Sequence, residues 1–200
     1  MRAVLACVFL CLLAACAAKQ AARAPADPYA ALLAELRQGG HVLYLRHAET
    51  ATASEEFVRD LRDCSWQRNL NEFGRQQSAA IGARLREQGI AFARVEASPF
   101  CRTRETAALV FGRPPMLNRD LYYHVSQTLP EIAATNDKLR ARLAQRPAGG
   151  NLALVGHAPT MREAAKVELP EGTGALVRPN GDGSFRVVAR VSIAGISIER

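Results

Sequence analysis

The chain is poor in the residues that mark several large functional classes. Lysine is nearly absent: only Lys19, Lys138 and Lys166 occur, so arginine carries the basic charge, an imbalance we ascribe to coding bias. Cysteine is scarce once the first 16 residues are set aside. Cys7, Cys11 and Cys16 fall there, leaving Cys64 and Cys101. Two thiols are too few for a disulfide scaffold, and no CxxC or Cys/His spacing suggests zinc. No apolar run approaches the about 20 residues of a membrane-spanning helix. No P-loop and no internal repeat occurs. The balance of 26 basic to 19 acidic residues gives a formal charge of +7. The basic residues are scattered without an aromatic stacking platform, which argues against nucleic acid as a partner. An anionic small substrate or an anionic envelope surface fits the charge.

The front of the chain reads as targeting sequence. Arg2 supplies a short positive region, and Ala3 to Ala15 is an uncharged apolar stretch of 13 residues, the length of a signal-peptide core. It ends in Leu13-Ala14-Ala15-Cys16, which resembles the bacterial lipobox, where cleavage precedes the cysteine and the thiol receives a diacylglycerol. An ordinary secretory signal cut between Ala15 and Ala18 is the competing reading. The expected organisation is a lipoprotein signal peptide over 1–15, a lipidated tether over 16–27 and one domain over 28–200. Acyl chains on Cys16 would anchor the protein, at about 0.8 kcal/mol per buried CH₂. The expected location is the cell envelope, facing the periplasm. Ala17, rather than an acidic residue, favours the outer membrane.

The domain alternates helices and strands. Asp27-Pro28 opens a helix with Leu32, Leu33 and Leu36 on one face, ended by Gly39-Gly40. His41 to Leu45 is a strand. Residues 48–70 form a long polar excursion. Asn71 caps a helix running to about Gln88, and Arg94 to Ala97 is a short strand. Cys101 to Phe111 is helical, residues 116–123 are extended and Pro130 to Gln145 is helical. Asn151 to Val155 is a buried strand, and Pro159 starts another helix. Strands then follow over Ala175–Arg178, Phe185–Arg190 and about Val191–Ile198, the first two joined through Asn180-Gly181-Asp182-Gly183. This order predicts an α/β/α sandwich with three layers and a mostly parallel central sheet. Ligands of such sheets bind beyond the carboxyl ends of the strands.

Three strand ends carry the same chemistry. "VLYLRHAET" (42–50) runs into Arg46 and His47, "RVEASPFCRTRET" (94–106) into Arg102, and "NLALVGHAP" (151–159) into His157. Taken singly, these would be surface arginines and a satisfied loop histidine. At one sheet edge, two guanidiniums and two imidazoles repel each other unless an anion sits among them. Arginine's fixed fork of donors suits a tetrahedral oxyanion. His41 and His124 have only structural readings.

With Ser98-Pro99, Thr106, Gly156 and the segment Asn69-Leu70-Asn71-Glu72-Phe73-Gly74-Arg75-Gln76-Gln77, these residues resemble the histidine phosphatase superfamily, the phosphoglycerate mutase-like fold, over roughly residues 40–165. The resemblance implies that His47 attacks phosphorus and becomes phosphohistidine, while Arg46, Arg102 and His157 bind the phosphoryl oxygens. It implies no metal and no cofactor. The substrate would be a small phosphorylated molecule or a phosphoprotein. Many relatives carry an acidic general acid after the third extended segment, where this chain has Asn118-Arg119-Asp120-Leu121-Tyr122-Tyr123-His124. Tyr123 stands where glutamate is expected, and Asp120 and Glu131 are the candidates for the acid. Glu49 follows the nucleophile as a loop cap. Cys64 and Cys101 should approach the same sheet edge, so a Cys64–Cys101 disulfide is expected, with two reduced thiols as the alternative. The favoured function is a phosphohydrolase. A protein phosphohistidine phosphatase and a non-catalytic anion-binding envelope lipoprotein are its rivals, and a mutase ranks lower because the insertions are short.

Overall fold

Val42, Leu43, Tyr44 and Leu45 of the first strand, β1 (Val42–Arg46), expose no surface at all. A strand buried on both faces requires cover on both faces, and the computed structural model of the protein, which describes residues 27–52, 60–124 and 127–198, supplies it. The expected signal peptide, Cys16 and all of the tether except Asp27 lie outside the described residues.

The elements follow in the order α1 (Pro28–Gln38), β1, α2 (Glu72–Glu87), β2 (Phe92–Ala97), α3 (Cys101–Phe111), β3 (Met116–Leu117), a 3₁₀ turn (Arg119–Leu121), α4 (Leu129–Ala144), β4 (Asn151–Gly156), α5 (Ala158–Ala165), β5 (Gly174–Pro179), β6 (Phe185–Ser192) and β7 (Gly195–Ile198). The seven-stranded sheet has the order β3-β2-β4-β1-β5-β6-β7. β3, β2, β4 and β1 run parallel, and β5, β6 and β7 extend the sheet antiparallel. One core cluster packs Leu32, Leu33 and Leu36 of α1, Ile81 and Leu85 of α2 and Val110 of α3 on Leu43, Leu45 and Val155. The other packs Leu139 and Leu143 of α4 and Met161 of α5 on Val42, Tyr44, Leu152 and Leu154. The three-layer α/β/α sandwich is therefore present, with the parallel strands on one side and the antiparallel strands on the other.

Local chemistry sets the helix starts. The Asp27 carboxylate accepts from the Tyr29 N–H at 3.0 Å, and the Asn71 side-chain oxygen accepts from the Gly74 N–H at 2.7 Å. Two expectations need correction. Residues 116–123 are extended only at Met116–Leu117, because the Asn118 side chain accepts from the Asp120 N–H and turns the chain into a 3₁₀ turn. The last strand does not begin at Val191: that residue pairs with Gly174 within β6, and the chain turns at Ile193-Ala194 before β7.

The register delivers the strand ends to one edge. Arg46 is opposite Gly156, and Ala97 is opposite Val155. Beyond the strands, the His47 N–H donates to Gly156 O and the Ser98 N–H to Val155 O. The hydroxyl of Tyr44 donates to His157 O at 2.9 Å and accepts from the His157 N–H at 3.0 Å. Gly156 makes this possible, since a Cβ there would stand 2.3 Å from the Tyr44 oxygen.

Cys64 and Cys101 form a disulfide, with Cα atoms 5.8 Å apart across a sequence separation of 37. The Cys101 N–H also donates to Gln67 Oε1 at 2.9 Å. The excursion is thus tied to the start of α3 beside Arg102. Closing a loop of this length in the unfolded chain is worth about 3–4 kcal/mol. The double variant Cys64→Ser/Cys101→Ser should lose about 3 kcal/mol of unfolding free energy in urea. Thiol titration of the unfolded wild-type domain should find neither Cys64 nor Cys101 free.

Candidate active site

His47 leaves the end of β1 into the protein interior, with 3% of its surface exposed. Its Nδ1 lies 2.9 Å from Ala48 O. A carbonyl only accepts, so Nδ1 holds the proton and Nε2 keeps its lone pair. The Ala48 N–H donates to Thr106 Oγ1, which itself donates to Arg102 O, so α3 fixes the loop that presents the ring. Burial, then the charge of Arg102, and more weakly Arg46 and Arg68, hold the His47 pKa well below its ordinary value. The ring is a neutral base with its free nitrogen fixed.

His157, at the end of β4, is 1% exposed, and its ring centroid lies 5.5 Å from that of His47. Its Nδ1 faces Arg102 Nη2 at 3.5 Å, and its Nε2 lies 3.0 Å from Ser98 Oγ. A guanidinium only donates, which leaves Nε2 as the protonated nitrogen, donating to Ser98. Burial, Arg102 and then His47 push its pKa well below the ordinary value. Arg102 is itself 1% exposed, and its guanidinium lies 4.7 Å from the Phe100 ring centroid and 5.4 Å from that of Tyr123. The Tyr123 ring also sits 5.0 Å from that of His157.

Arg46 and two unforeseen residues form the rim. Arg46 Nη1 donates to Leu169 O at 2.9 Å and Nη2 to Glu171 Oε1 at 3.1 Å. Arg68 Nη2 donates to the same carboxylate oxygen at 3.0 Å, while Glu171 Oε2 accepts from the Thr50 N–H at 3.2 Å. The buried Nε groups of Arg46 and Arg68 have no acceptor among the described residues. Burial lowers the Arg46 pKa, opposed by Glu171.

The loop carrying Glu171 is fastened to β1 by the Gly172 N–H, which donates to His47 O at 2.9 Å. Gln77 accepts from the Glu49 N–H and donates to Glu171 O. Gly172 has φ +66°, and a Cβ there would stand 2.0 Å from the Gln77 carboxamide. The position requires glycine for both reasons.

The site residues expected from sequence thus divide. Arg46, His47, Arg102 and His157 come together. Glu49 is a loop brace, its carboxylate accepting from Asn71 Nδ2 at 2.8 Å. Asp120 pairs with Lys138 at 2.8 Å on the α4 side, and Glu131 accepts from the Thr128 N–H at 2.7 Å as part of the α4 capping box. Neither carboxylate is turned to the imidazoles. Glu171, from the loop before β5, is a carboxylate that reaches Arg46, and it is shared with Arg68. His41 lies at the opposite end of β1, beside Glu35 and Arg178. Burial lowers the pKa of His124, which follows the 3₁₀ turn. Arg68 immediately precedes the Asn69–Gln77 segment that carries the resemblance, but nothing local separates it from a surface arginine. Glu171 has no local signal at all.

Because the folded pKa values of His47 and His157 are depressed, the unfolded chain binds the extra protons as pH falls below about 6.5. Stability should therefore be full above that pH and decline below it, by up to about 1.4 kcal/mol per pH unit for each histidine. Urea unfolding at pH 7.5 and 5.5 measures this, and His157→Gln should make the slope shallower.

The arrangement can offer a bare imidazole nitrogen to an electrophile whose oxygens meet Arg102, Arg46 and His157. Comparison with known proteins agrees with this chemistry. A family model described as histidine phosphatase superfamily (branch 1) matches residues 42–132, which include Arg46, His47, Arg68 and Arg102. No curated protein matches the sequence. The fold is similar to that of the protein histidine phosphatase SixA complexed with tungstate, at 15% identity and TM-score 0.57 over 77% of this chain and 97% of that one. It is also similar to a phosphoserine phosphatase from Entamoeba histolytica in complex with phosphoserine (12% identity, TM-score 0.55, 76% and 97% covered). A third similar structure is the Rv3214 reading-frame product of Mycobacterium tuberculosis (17% identity, TM-score 0.57, 74% and 94% covered). At such identities these likenesses speak for the fold. The matched segment and the shared fold make the chain similar to the histidine phosphatase superfamily, and the chemistry of the site fits that of a phosphohydrolase.

Proposed function

We propose that the domain hydrolyses phosphorylated substrates through a phosphohistidine at His47. The observation that carries this reading is the Nδ1 contact with Ala48 O, which leaves Nε2 unprotonated inside a cationic cage. In the first step, the Nε2 lone pair forms a bond to phosphorus while the bond from phosphorus to the leaving group breaks. Arg102, Arg46 and His157 hold the three equatorial oxygens as charge spreads over them. A bound oxyanion also favours a proton on His157 Nδ1, which then donates to it. In the second step, water attacks the phosphohistidine, inorganic phosphate leaves and His47 Nε2 recovers its lone pair.

The leaving group's proton is the weak point of this chemistry. Asp120 and Glu131 are engaged elsewhere, and Glu171 is held by Arg46, Arg68 and Thr50. A poorly assisted leaving group favours substrates whose bond breaks easily: acyl phosphates and phosphoramidates, including phosphohistidine on a protein. The likeness to SixA supports that substrate class. Hydrolysis of a phosphoramidate, an acyl phosphate, an aryl phosphate and an alkyl phosphate should fall in roughly that order. His47→Ala should lower kcat at least about a thousandfold on all of them. Phosphate binding without turnover in the wild type would instead favour an anion-binding protein.

The same proposal places the domain at the cell envelope, held by acyl chains on Cys16 and facing the periplasm. Its support is the Leu13-Ala14-Ala15-Cys16 sequence after an uncharged apolar stretch. Cells labelled with radioactive palmitate should yield labelled protein, and Cys16→Ser should remove the label and release the protein from the membrane fraction. An unlabelled wild type would overturn the anchor.

A further inference from the structure

Outside the phosphate cage, the outer side of α3 and the edge strand β3 border two surface cavities of about 780 and 690 Å³. Arg62, Arg104 and Leu117 line both, so the cavities form one continuous groove. The floor of the larger part is apolar, built from Ala108, Pro114, Pro115 and Leu117. Met116 and Leu117 are 56% and 60% exposed, unusual for side chains of a sheet strand. β3 is the last strand on its side of the sheet and pairs only with β2, so its other edge is unpaired among the described residues.

Arginines line the groove, and they differ in how far they are already neutralised. Arg75 pairs with Glu105 at 2.7 Å and Arg62 with Asp60 at 2.9 Å. Arg104 makes one long hydrogen bond, 3.4 Å, to Leu61 O, and neither Arg104 nor Arg119 has a carboxylate partner among the described residues. The smaller part ends at Pro99 and Tyr122. Their chain neighbours Ser98 and Tyr123 both lie against His157, so that end of the groove is close to the cage without sharing a lining residue with it.

We infer that this groove binds an extended acidic peptide segment. An unpaired strand edge offers main-chain hydrogen bonds to an extended chain, and alternate side chains of that chain would face the apolar floor. Arg104 and Arg119 stand ready for carboxylates, and arginine forks suit them. Inorganic phosphate has neither the size nor the apolar surface to occupy so large a groove. A second copy of this chain fits poorly, because its formal charge of +7 opposes a positive groove. The inference concerns a surface separate from the cage and holds whether or not the cage turns over.

The test uses the full chain and a fluorescein-labelled, unphosphorylated eight-residue peptide of alternating glutamate and valine, followed by fluorescence anisotropy. Saturable binding is expected, weakening with added salt and unchanged by saturating inorganic phosphate. Arg104→Glu and Arg119→Glu should each raise Kd at least tenfold. Arg186→Glu, on β6 far from the groove, should leave it unchanged. Arg119 is exposed, so its variant tests the groove even if Arg104→Glu fails to fold. Competition by phosphate would mean that the peptide merely occupies the cage, and would overturn the inference. So would equal binding of a peptide with glutamine in place of glutamate, absence of binding, or wild-type affinity in Arg119→Glu. Turnover of an aryl phosphate, measured in the same preparations, reads the cage independently. Absence of peptide binding by the wild type with turnover intact would refute the groove alone.

Discussion

The Arg102 guanidinium buried beside two uncharged imidazoles constrains everything around it. Burial of a cation is costly, and its field makes a second nearby cation costlier still. The imidazoles respond by keeping only one proton each, which leaves His47 a base with a free nitrogen at neutral pH. The same cost explains the aromatic collar: Phe100 and Tyr123 turn their ring faces toward Arg102, an attraction that strengthens when water is excluded. A site that is uncomfortable when empty is favourable when an oxyanion enters it. In the proposed mechanism, the binding of phosphoryl oxygens and the activation of His47 thus share one physical origin.

Holding that arrangement needs a rigid frame, and most of the remaining polar contacts supply one. Tyr44 bonds both backbone groups of His157 from within β1, in space that Gly156 leaves open. Thr106 ties the His47 loop to the backbone of Arg102. Gln77 bridges the Glu49 loop and the Glu171 loop, over the one residue there that must lack a Cβ. The disulfide and Gln67 fasten the excursion that brings Arg68 to Glu171. Each brace joins parts of the chain far apart in sequence, so the catalytic geometry is a product of the packed sandwich rather than of any one loop.

Charge is graded across this face. Inside the cage, positive groups are buried and meet the imidazoles. At the rim, Glu171 offsets Arg46 and Arg68, which restrains the attraction for any passing anion while leaving buried donors without an acceptor among the described residues. Farther out, the arginines beside α3 are more exposed and screened by salt, so they steer and orient rather than bind tightly. An anionic substrate approaching from this side passes from weak, long-range attraction to strong, short-range hydrogen bonding.

Local sequence determined the parts of this molecule that local physics controls. The buried run at 42–45, the caps at Asp27 and Asn71 and the helix over Cys101–Phe111 follow from hydrophobic pattern and side-chain hydrogen bonding. The four cage residues were legible because each lies at or just beyond the carboxyl end of a parallel strand, and a parallel sheet puts such ends together. What failed did so where local signals are weak. Asn118 folds the chain into a tight turn within an extended-looking stretch. Val191 continues a strand because its partner, Gly174, lies on β5. Asp120 and Glu131 are acidic and near in sequence, yet Lys138 and the α4 cap claim them. Only tertiary structure could bring Glu171 to Arg46 and Arg68, across separations of more than 100 residues. A carboxylate's role depends on which cations it meets, and that is fixed by packing, not by its neighbours in the chain.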